Sequence, residues 1–178
     1  MVSLIPLDPQ LHTDLLQQVY ALTPGYWELY HLSGPPGGQA ERDLAGVQNE
    51  AGRSALGILL PNRPGDPAAG AQLIGLLDFR MHYPEPGTAY IGMVMVAEPF
   101  QRQGAASAAW ALLEEWLAGQ AGISLARLTV EQFNPGGLHF FQQIGFDLTG
   151  EARRTKSDQR FVRLLVMEKR LIHRAGNR

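Results

Sequence analysis

The spacing of hydrophobic positions changes several times along this chain, and each change marks a predicted element. A short apolar run at residues 3–7 predicts a first strand. From Leu11 to Leu22, leucine and valine recur at spacings of three and four, which is typical of an amphipathic helix. A more polar helix is predicted over residues 39–50, after an aromatic segment and a loop rich in proline and glycine.

Three apolar segments follow, separated by short connections. They cover residues 54–60, 71–82 and 89–96, with a surface hairpin loop predicted at 61–70 and a turn at 83–87. Strands joined by such short connections are expected to pair antiparallel. This part of the chain therefore predicts a three-stranded meander.

Helical spacing returns after the meander. Small residues open this helix, and its apolar positions then fall on one face. That face consists of Ala106, Trp110, Leu113 and Leu117, and it is widened by Ala109, Leu112 and Trp116. Trp110, Leu113 and Trp116 are expected to lie in the core.

The rest of the chain predicts one strand, one helix and two closing strands. The strand covers residues 125–130; because a helix separates it from the meander, it is expected to run parallel to the last meander strand. Asn134 and Pro135 begin the next helix, as a preferred N-cap and a residue suited to the first turn. The closing strands lie near residues 146–151 and 160–170. This order predicts an α/β (α+β) fold, with a mixed sheet and helices on both faces.

Composition narrows the function mainly by exclusion. The 178 residues are 45% apolar and 18% charged, which is typical of a folded domain. The chain has no cysteine, which excludes disulfides, thiol catalysis and cysteine-ligated metal sites. No apolar run reaches the length of a membrane helix and the N-terminus lacks the pattern of a secretion signal, so a soluble cytoplasmic protein is expected.

Charge is distributed unevenly, although the net charge is only −2. Residues 1–152 carry a net charge of −9, and residues 153–178 carry +7. Such a basic end can contact an anion or a nucleic acid, or it can be a solvated last strand and tail. Basic and aromatic residues do not alternate along it. We therefore interpret it as solvated and expect no nucleic-acid partner and no membrane contact.

The turn between the meander and the following helix is suited to bind an anion. Gly104, Ala105 and Ala106 are small, and the first turn of a helix leaves backbone N–H groups without intrahelical partners. These groups and the helix dipole favour negative charge. The nucleotide-binding sequences G-x-x-x-x-G-K-[ST] and G-x-G-x-x-G do not occur, so a different phosphate-bearing ligand is indicated.

Two sequence blocks resemble those of a known family. Residues 101–106, QRQGAA, match Q-x-x-G-x-A, which resembles the acetyl-coenzyme A signature Q/R-x-x-G-x-G/A of the GCN5-related N-acetyltransferases (GNAT). Residues 134–146, NPGGLHFFQQIGF, are similar to the family's N-x-x-A-x-x-F-Y-x-x-x-G-F. The blocks lie about one helix and one strand apart, as in the family, and the resemblance covers roughly residues 54–170.

The resemblance implies a fold and a domain organisation. The fold would be a mixed, mostly antiparallel sheet of about six or seven strands, with a splayed parallel strand pair and helices on both faces. One domain would cover residues 1–178. Within it, residues 1–53 would form the N-terminal strand and the acceptor-side helices, and residues 54–170 the cofactor-binding core.

The resemblance also implies acetyl-CoA as co-substrate, no metal, and transfer of the acetyl group to a primary amine by direct attack in a ternary complex. The end of the last meander strand would bond the pantetheine arm, Gln101 would bind loop carbonyls, and the following backbone would hold the pyrophosphate. The implied cofactor-binding residues are Val94, Met95, Val96, Gln101, Arg102, Gln103, Gly104, Ala105, Ala106, Ser107, Asn134 and Phe141.

The usual acid and base of the family are missing. Phe141 stands where many members carry a tyrosine that protonates the thiolate, and Tyr90 stands where many carry a glutamate. Phenylalanine has no proton to donate, and an unperturbed tyrosine, with a pKa of about 10, is a poor base at neutral pH. Tyr90 and Glu131 are the candidate catalytic residues. Positioning alone can supply much of the acceleration. An acyl-CoA-binding module without turnover is the alternative.

The acceptor site is expected to involve the N-terminal helices. Tyr26, Trp27 and Tyr30 are candidates for its wall, and they are equally suited to an ordinary aromatic core. The acidic body of the chain favours an amine-bearing acceptor, either a small molecule or a protein. The resemblance is also compatible with a homodimer.

Overall fold

The computed structural model describes residues 1–62, 70–157 and 160–172, and these ranges contain seven strands and five α-helices. In chain order they are β1 (Ser3–Pro6), α1 (Pro9–Ala21), α2 (Pro24–Glu28), α3 (Gln39–Asn49), β2 (Arg53–Pro61), β3 (Ala71–Met81), β4 (Thr88–Val96), α4 (Ala105–Ala118), β5 (Leu125–Glu131), α5 (Pro135–Gln143), β6 (Asp147–Ser157) and β7 (Arg160–Arg170).

The strands form one mixed sheet in the order β1-β2-β3-β4-β5-β7-β6. Pairs β1–β2, β5–β7 and β6–β7 are antiparallel, whereas β4 and β5 run parallel, as the helix between them requires. The parallel register extends from Thr88 opposite Leu125 to Ile91 opposite Leu128, although both strands continue beyond it. The predicted fold class, with its mixed sheet and parallel pair, is confirmed.

A first compact unit comprises residues 1–79 and 93–113. Its main core packs helices α1–α3 through buried residues of which Leu16, Val19, Trp27 and Leu44 are examples. The predicted apolar face of α1 is wrong in part, because Leu11, Leu15 and Leu22 are exposed. The helix turns its Leu16–Val19–Tyr20 side to the core, and at 100° per residue this leaves the other leucines outside.

Polar side chains of the same unit meet beneath these helices. The Tyr20 hydroxyl donates to Asp43 Oδ2 at 2.7 Å, and Arg53 donates to both carboxylate oxygens of Asp78. Burial, and then the Asp43 carboxylate, raises the pKa of Tyr20 above its usual range, so Tyr20 stays neutral. Burial also raises the pKa of Asp78, and Arg53 opposes that rise. The first contact ties α1 to α3, and the second ties β2 to β3.

A second compact unit comprises residues 80–92 and the chain from 114 onward. In β5, Ala126, Leu128 and Val130 are buried, and the alternate residues Arg127, Thr129 and Glu131 are half-buried on the opposite face. Lys169 Nζ donates to Glu114 and to the carbonyl oxygen of Ile144, which links β7 to the ends of α4 and α5. Arg127, Thr129 and Glu131 therefore line one face of β5, and the buried residues line the other.

Several sequence predictions need correction or fall outside the described chain. Trp116 is 48% exposed, so its assignment to the core is wrong, whereas Trp110 and Leu113 are buried as expected. β6 continues to Ser157, six residues beyond its predicted end. Residues 63–69 of the predicted hairpin loop and residues 158–159 and 173–178 of the basic end lie outside the described residues. In the described ranges no helix is long and apolar enough to cross a membrane.

Candidate functional site

The connection between β4 and α4 is anchored at its beginning by backbone bonds. Ala97 N–H donates to Ile74 O at 2.8 Å, and Glu98 N–H donates to Leu22 O at 2.9 Å. A single 3₁₀ turn over Glu98–Phe100 follows. Strand β3 and the end of α1 therefore fix the chain just before the residues of the first sequence block.

Two glutamine side chains hold the middle of this connection. Gln101 Nε2 donates to Val96 O at 2.7 Å in a partly buried position, and Gln103 Nε2 donates to Pro99 O at 2.9 Å at the surface. Gln101 therefore bonds a main-chain carbonyl as predicted, but that carbonyl belongs to the last residue of β4 and not to the loop. Gln101 thus ties the loop to the end of β4, and Gln103 ties it to the preceding turn.

Two residues of the loop adopt the left-handed backbone conformation. Arg102 has φ +59° and Gly104 has φ +80°. A non-glycine residue in this region stores about 1–3 kcal/mol of strain, which the surrounding contacts must offset. Gly104 accepts from Ala108 N–H at 2.9 Å and so begins α4 as a residue with no side chain to cap it.

The consequence is a run of backbone donors that stay open. Within the described part of the chain, the N–H groups of residues 102–107 donate to no other atom, and residues 101–104 are exposed. Six consecutive open donors at the positive end of a helix dipole form a site for an anion. Met95 and Val96, directly before the loop, are buried, and Val94 is half-buried.

In the second unit, Asn134 begins α5 and caps it. Its Oδ1 accepts from Gly137 N–H at 2.9 Å, as predicted for an N-cap residue. Gly137 leaves room for this amide, because a Cβ there would lie 2.7 Å from Asn134 Nδ2. Nδ2 donates to no described residue, so the same side chain can cap the helix and donate one further hydrogen bond.

Phe141 lies in a small aromatic cluster. Its ring centroid is 5.1 Å from that of Phe140 and 5.7 Å from that of Phe146, both in edge-to-face arrangements. Gly145, with φ +93°, ends the helix and turns the chain into β6. Phe141 is half-buried, so it offers an apolar surface and no proton.

The two candidate catalytic residues, Tyr90 and Glu131, both belong to the second unit. The Tyr90 hydroxyl and Thr129 Oγ1 are 2.9 Å apart, and the Tyr90 ring packs against Tyr83. Thr129 and Glu131 lie two residues apart on the half-buried face of β5. The structure therefore adds Thr129 to the candidates. The alternation in LARLTVE signalled its position on the face of Glu131, but only the fold shows its contact with Tyr90.

The aromatic candidates for the acceptor site belong to the first unit. Trp27 is buried in the core and its Nε1–H donates to Tyr20 O at 2.8 Å. Tyr26 packs on Trp27 and Tyr30, with ring centroids 5.0 Å and 5.5 Å away. Tyr26 and Tyr30 are half-buried and keep some accessible surface, whereas Trp27 serves packing. No group of three or more histidine, aspartate or glutamate side chains in the described ranges is placed to hold a metal ion.

Comparison of the sequence with known protein families identifies one family. The sequence profile of the acetyltransferase (GNAT) family matches residues 24–146. No curated protein matches the sequence.

Solved structures are similar over nearly the whole chain. An acetyltransferase from Thermus thermophilus has a TM-score of 0.72 and 26% identity over 96% of this chain and 97% of its own. A probable acetyltransferase (GNAT family) from Chromobacterium violaceum has a TM-score of 0.74 and 22% identity over 95% and 82%. The ribosomal-protein-S18-alanine N-acetyltransferase of Escherichia coli has a TM-score of 0.67 and 15% identity over 99% and 97%. The last two show the fold alone.

Proposed function

This chain belongs to the acetyltransferase (GNAT) family, and we propose that it transfers the acetyl group of acetyl-CoA to a primary amine by direct attack in a ternary complex. The observation that carries the proposal is the loop before α4. It presents the open N–H groups of residues 102–107 at a helix N-terminus, where a pyrophosphate is favoured.

Each cofactor-binding residue has a distinct part in this proposal. Residues 102–107 hold the pyrophosphate through their backbone, and Gln101 fixes that backbone through its bond to Val96. The main chain of residues 94–96 bonds the pantetheine arm as an added strand would. Asn134 donates its free Nδ2 hydrogens to the cofactor, and Phe141 provides apolar contact.

The proposed chemistry makes one C–N bond and breaks one C–S bond. A neutral amine attacks the thioester carbon, the amine loses a proton, and coenzyme A leaves as a thiolate that takes up a proton. Glu131 is the proposed acceptor of the amine proton, directly or through water. The Tyr90 hydroxyl, held by Thr129, is the proposed donor on the same face of the second unit. Positioning of amine and thioester supplies the larger share of the rate.

The proposed acceptor is an amine on a small molecule or a protein. Tyr26 and Tyr30 are its proposed contacts, because they retain accessible surface. The E. coli neighbour is named for a protein alanine acceptor, which supports testing peptides beside small amines. A cytoplasmic location and a homodimer are further parts of the proposal, and they rest on the amino-acid sequence alone. Cell fractionation tests the location, and light scattering tests the oligomeric state.

Release of free coenzyme A tests the proposed reaction directly. Because the chain has no cysteine, a thiol reagent reports only the coenzyme A that the reaction releases. Purified protein is mixed with acetyl-CoA and a panel of polyamines, amino acids, aminoglycosides and short peptides. We expect amine-dependent thiol release with at least one class, and mass spectrometry should find the acetylated product. Folded protein that releases no thiol with any amine would contradict the reaction.

A second candidate is an acyl-CoA-binding module without turnover, favoured by Phe141 at the position where many family members carry a tyrosine. It predicts that acetyl-CoA raises the melting temperature while no amine is acetylated. The Phe141→Tyr variant separates the candidates. If the missing acid is what prevents turnover, the variant gains amine-dependent thiol release. If the wild type already turns over and Phe141→Tyr changes kcat by less than about twofold, the binding-module candidate is excluded.

A further inference from the structure

The hairpin formed by β6 and β7 brings basic and aromatic side chains together on one face. Arg154 lies directly opposite Arg163, and Lys156 lies opposite Phe161. Because side chains alternate between the faces of a strand, positions 154, 156, 161 and 163 share one face. We call these four residues the hairpin basic face. Among the described strands β6 lies at the edge of the sheet, so no described strand pairs with its outer edge.

The positive charges of this face have no acidic partner among the described residues. Arg154, Lys156 and Arg163 are exposed, and none of them forms an ion pair with a residue in the described ranges. Like charges directly opposite each other in a sheet are destabilising. An anion bound across the Arg154–Arg163 pair would relieve that repulsion.

The aromatic member of the face is open to solvent. Phe161 is 67% exposed, and Arg154 Cζ lies 4.7 Å from the centroid of its ring. A guanidinium stacked on a ring keeps its N–H edges free for phosphate oxygens. With 67% of its surface exposed beside that guanidinium, the ring offers an aromatic surface of the kind on which unpaired bases stack.

We propose that the hairpin basic face binds single-stranded nucleic acid, with Arg154, Lys156 and Arg163 on the phosphates and a base stacked on Phe161. The exposed Phe161 ring favours a nucleic acid over an acidic peptide. A base can stack on the ring, whereas an acidic peptide would need only the positive charges. It also favours a single strand, because the bases of a duplex are already stacked on each other. This function is independent of acetyl transfer.

The closeness of these four residues could not be predicted from the sequence. Arg154 and Lys156 belong to β6, and Phe161 and Arg163 belong to β7, so basic and aromatic residues do not alternate along the chain. Only the register of the two strands interleaves them. The hairpin is joined to the end of β5, because Gln132 N–H donates to Arg163 O at 2.9 Å. A nucleic-acid strand bound to the hairpin basic face would therefore lie near the end of β5, where Glu131 is located.

Fluorescence anisotropy with labelled 12-residue oligo(U) and oligo(dT) tests the proposal on the full chain without acetyl-CoA. We expect micromolar binding at about 50 mM salt that weakens as salt rises, since phosphate contacts release counterions. Changing Arg154, Lys156 and Arg163 together to Gln should reduce the slope of log K against log salt by about 2, at about 0.7 per phosphate contact. Phe161→Ala should weaken binding by about 5- to 150-fold, the usual loss for one stacked base.

Arg170→Gln is the matched control, because Arg170 is an exposed arginine on the same strand seven residues from Arg163. It should leave affinity and salt slope nearly unchanged. Circular dichroism of every variant should match the wild type, since the substituted side chains are exposed. The proposal is overturned if neither oligonucleotide binds below about 100 μM at low salt. It is equally overturned if Arg170→Gln weakens binding as much as the triple variant, or if a 12-residue poly-glutamate peptide binds more tightly than the oligonucleotides.

Discussion

Helices α4 and α5 begin in opposite ways. At the start of α4, Gly104 has no side chain, and the N–H groups of residues 102–107 donate to nothing in the described structure. At the start of α5, Pro135 has no N–H to leave open, and Asn134 Oδ1 accepts from Gly137 N–H. Both helices have the same backbone dipole. The difference lies in whether the chain itself uses the donors that the first turn provides.

This difference shows why only one of the two helix starts is a suitable anion site. In α5 fewer donors are left open, because Pro135 has no N–H and Asn134 caps Gly137 N–H, a bond that stabilises the helix by about 1 kcal/mol. In α4 that stabilisation is absent, and Arg102 is held in a strained conformation in addition. A loop that leaves its own donors open and keeps them rigid through Gln101 is prepared for an external phosphate. We therefore propose the start of α4, and not that of α5, as the pyrophosphate site.

The largest effect is expected for Ser107→Glu. A glutamate at the third position of α4 can reach back to the open N–H groups, as in a capping box, and it places a negative charge at the proposed phosphate site. We expect the affinity for acetyl-CoA to fall about 10- to 100-fold, equivalent to about 1.4–2.8 kcal/mol. The melting temperature should stay the same or rise. Isothermal titration calorimetry and a thermal melt measure the two quantities.

The matched control for that substitution is Ala111→Glu, which adds the same charge one turn further along the exposed side of α4. The N–H groups there are already bonded within the helix, so affinity should change much less. Equal losses for both variants would show that net charge, and not the open helix start, determines the effect.

Substitutions of Asn134 should have the next largest effect, mainly on stability. Asn134→Ala removes the cap of α5 and should cost about 1 kcal/mol, which lowers the melting temperature by about 2–4 °C in a chain of this size. Asn134→Asp keeps an oxygen cap but loses the Nδ2 donor. It should keep the melting temperature and weaken acetyl-CoA binding about two- to tenfold. Unchanged affinity in Asn134→Asp would mean that Asn134 only caps the helix.

A smaller effect is expected for Gln101→Ala, which removes the 2.7 Å bond to Val96 O without touching the open N–H groups. A partly buried hydrogen bond contributes about 0.5–1.5 kcal/mol, so acetyl-CoA affinity should fall about two- to tenfold as the loop loosens. Gln103→Ala is the comparison, because its bond to Pro99 O lies at the surface. If Gln103→Ala weakens binding more than Gln101→Ala, the assigned role of Gln101 is wrong.

The sequence was informative wherever the signal is local. The small residues before α4 and the Asn134-Pro135 start of α5 both correspond to element boundaries in the structure. The parallel pairing of β4 and β5 followed from a strand, a helix and a strand in succession. The N-cap of Asn134 was equally predictable, since it depends on neighbouring residues alone.

Features that depend on distant contacts could not be predicted in this way. Trp116 and Leu11 fit the apolar spacing of their helices, yet both are exposed, because spacing does not specify how much of a helix face is covered. The partner of Tyr90, Thr129, and the alignment of Phe161 with Lys156 require knowledge of strand register. The left-handed conformation of Arg102 has no sequence signal, since that residue type rarely adopts it.

The most direct test of the pyrophosphate site compares coenzyme A with pantetheine, which lacks the pyrophosphate, on the wild type and on Ser107→Glu. Calorimetry gives four dissociation constants. We predict that the wild type binds coenzyme A at least about tenfold more tightly than pantetheine, and that Ser107→Glu removes this preference by weakening coenzyme A alone. A variant that weakens both ligands equally, or that leaves the preference for coenzyme A intact, would contradict the assignment of the pyrophosphate to the start of α4.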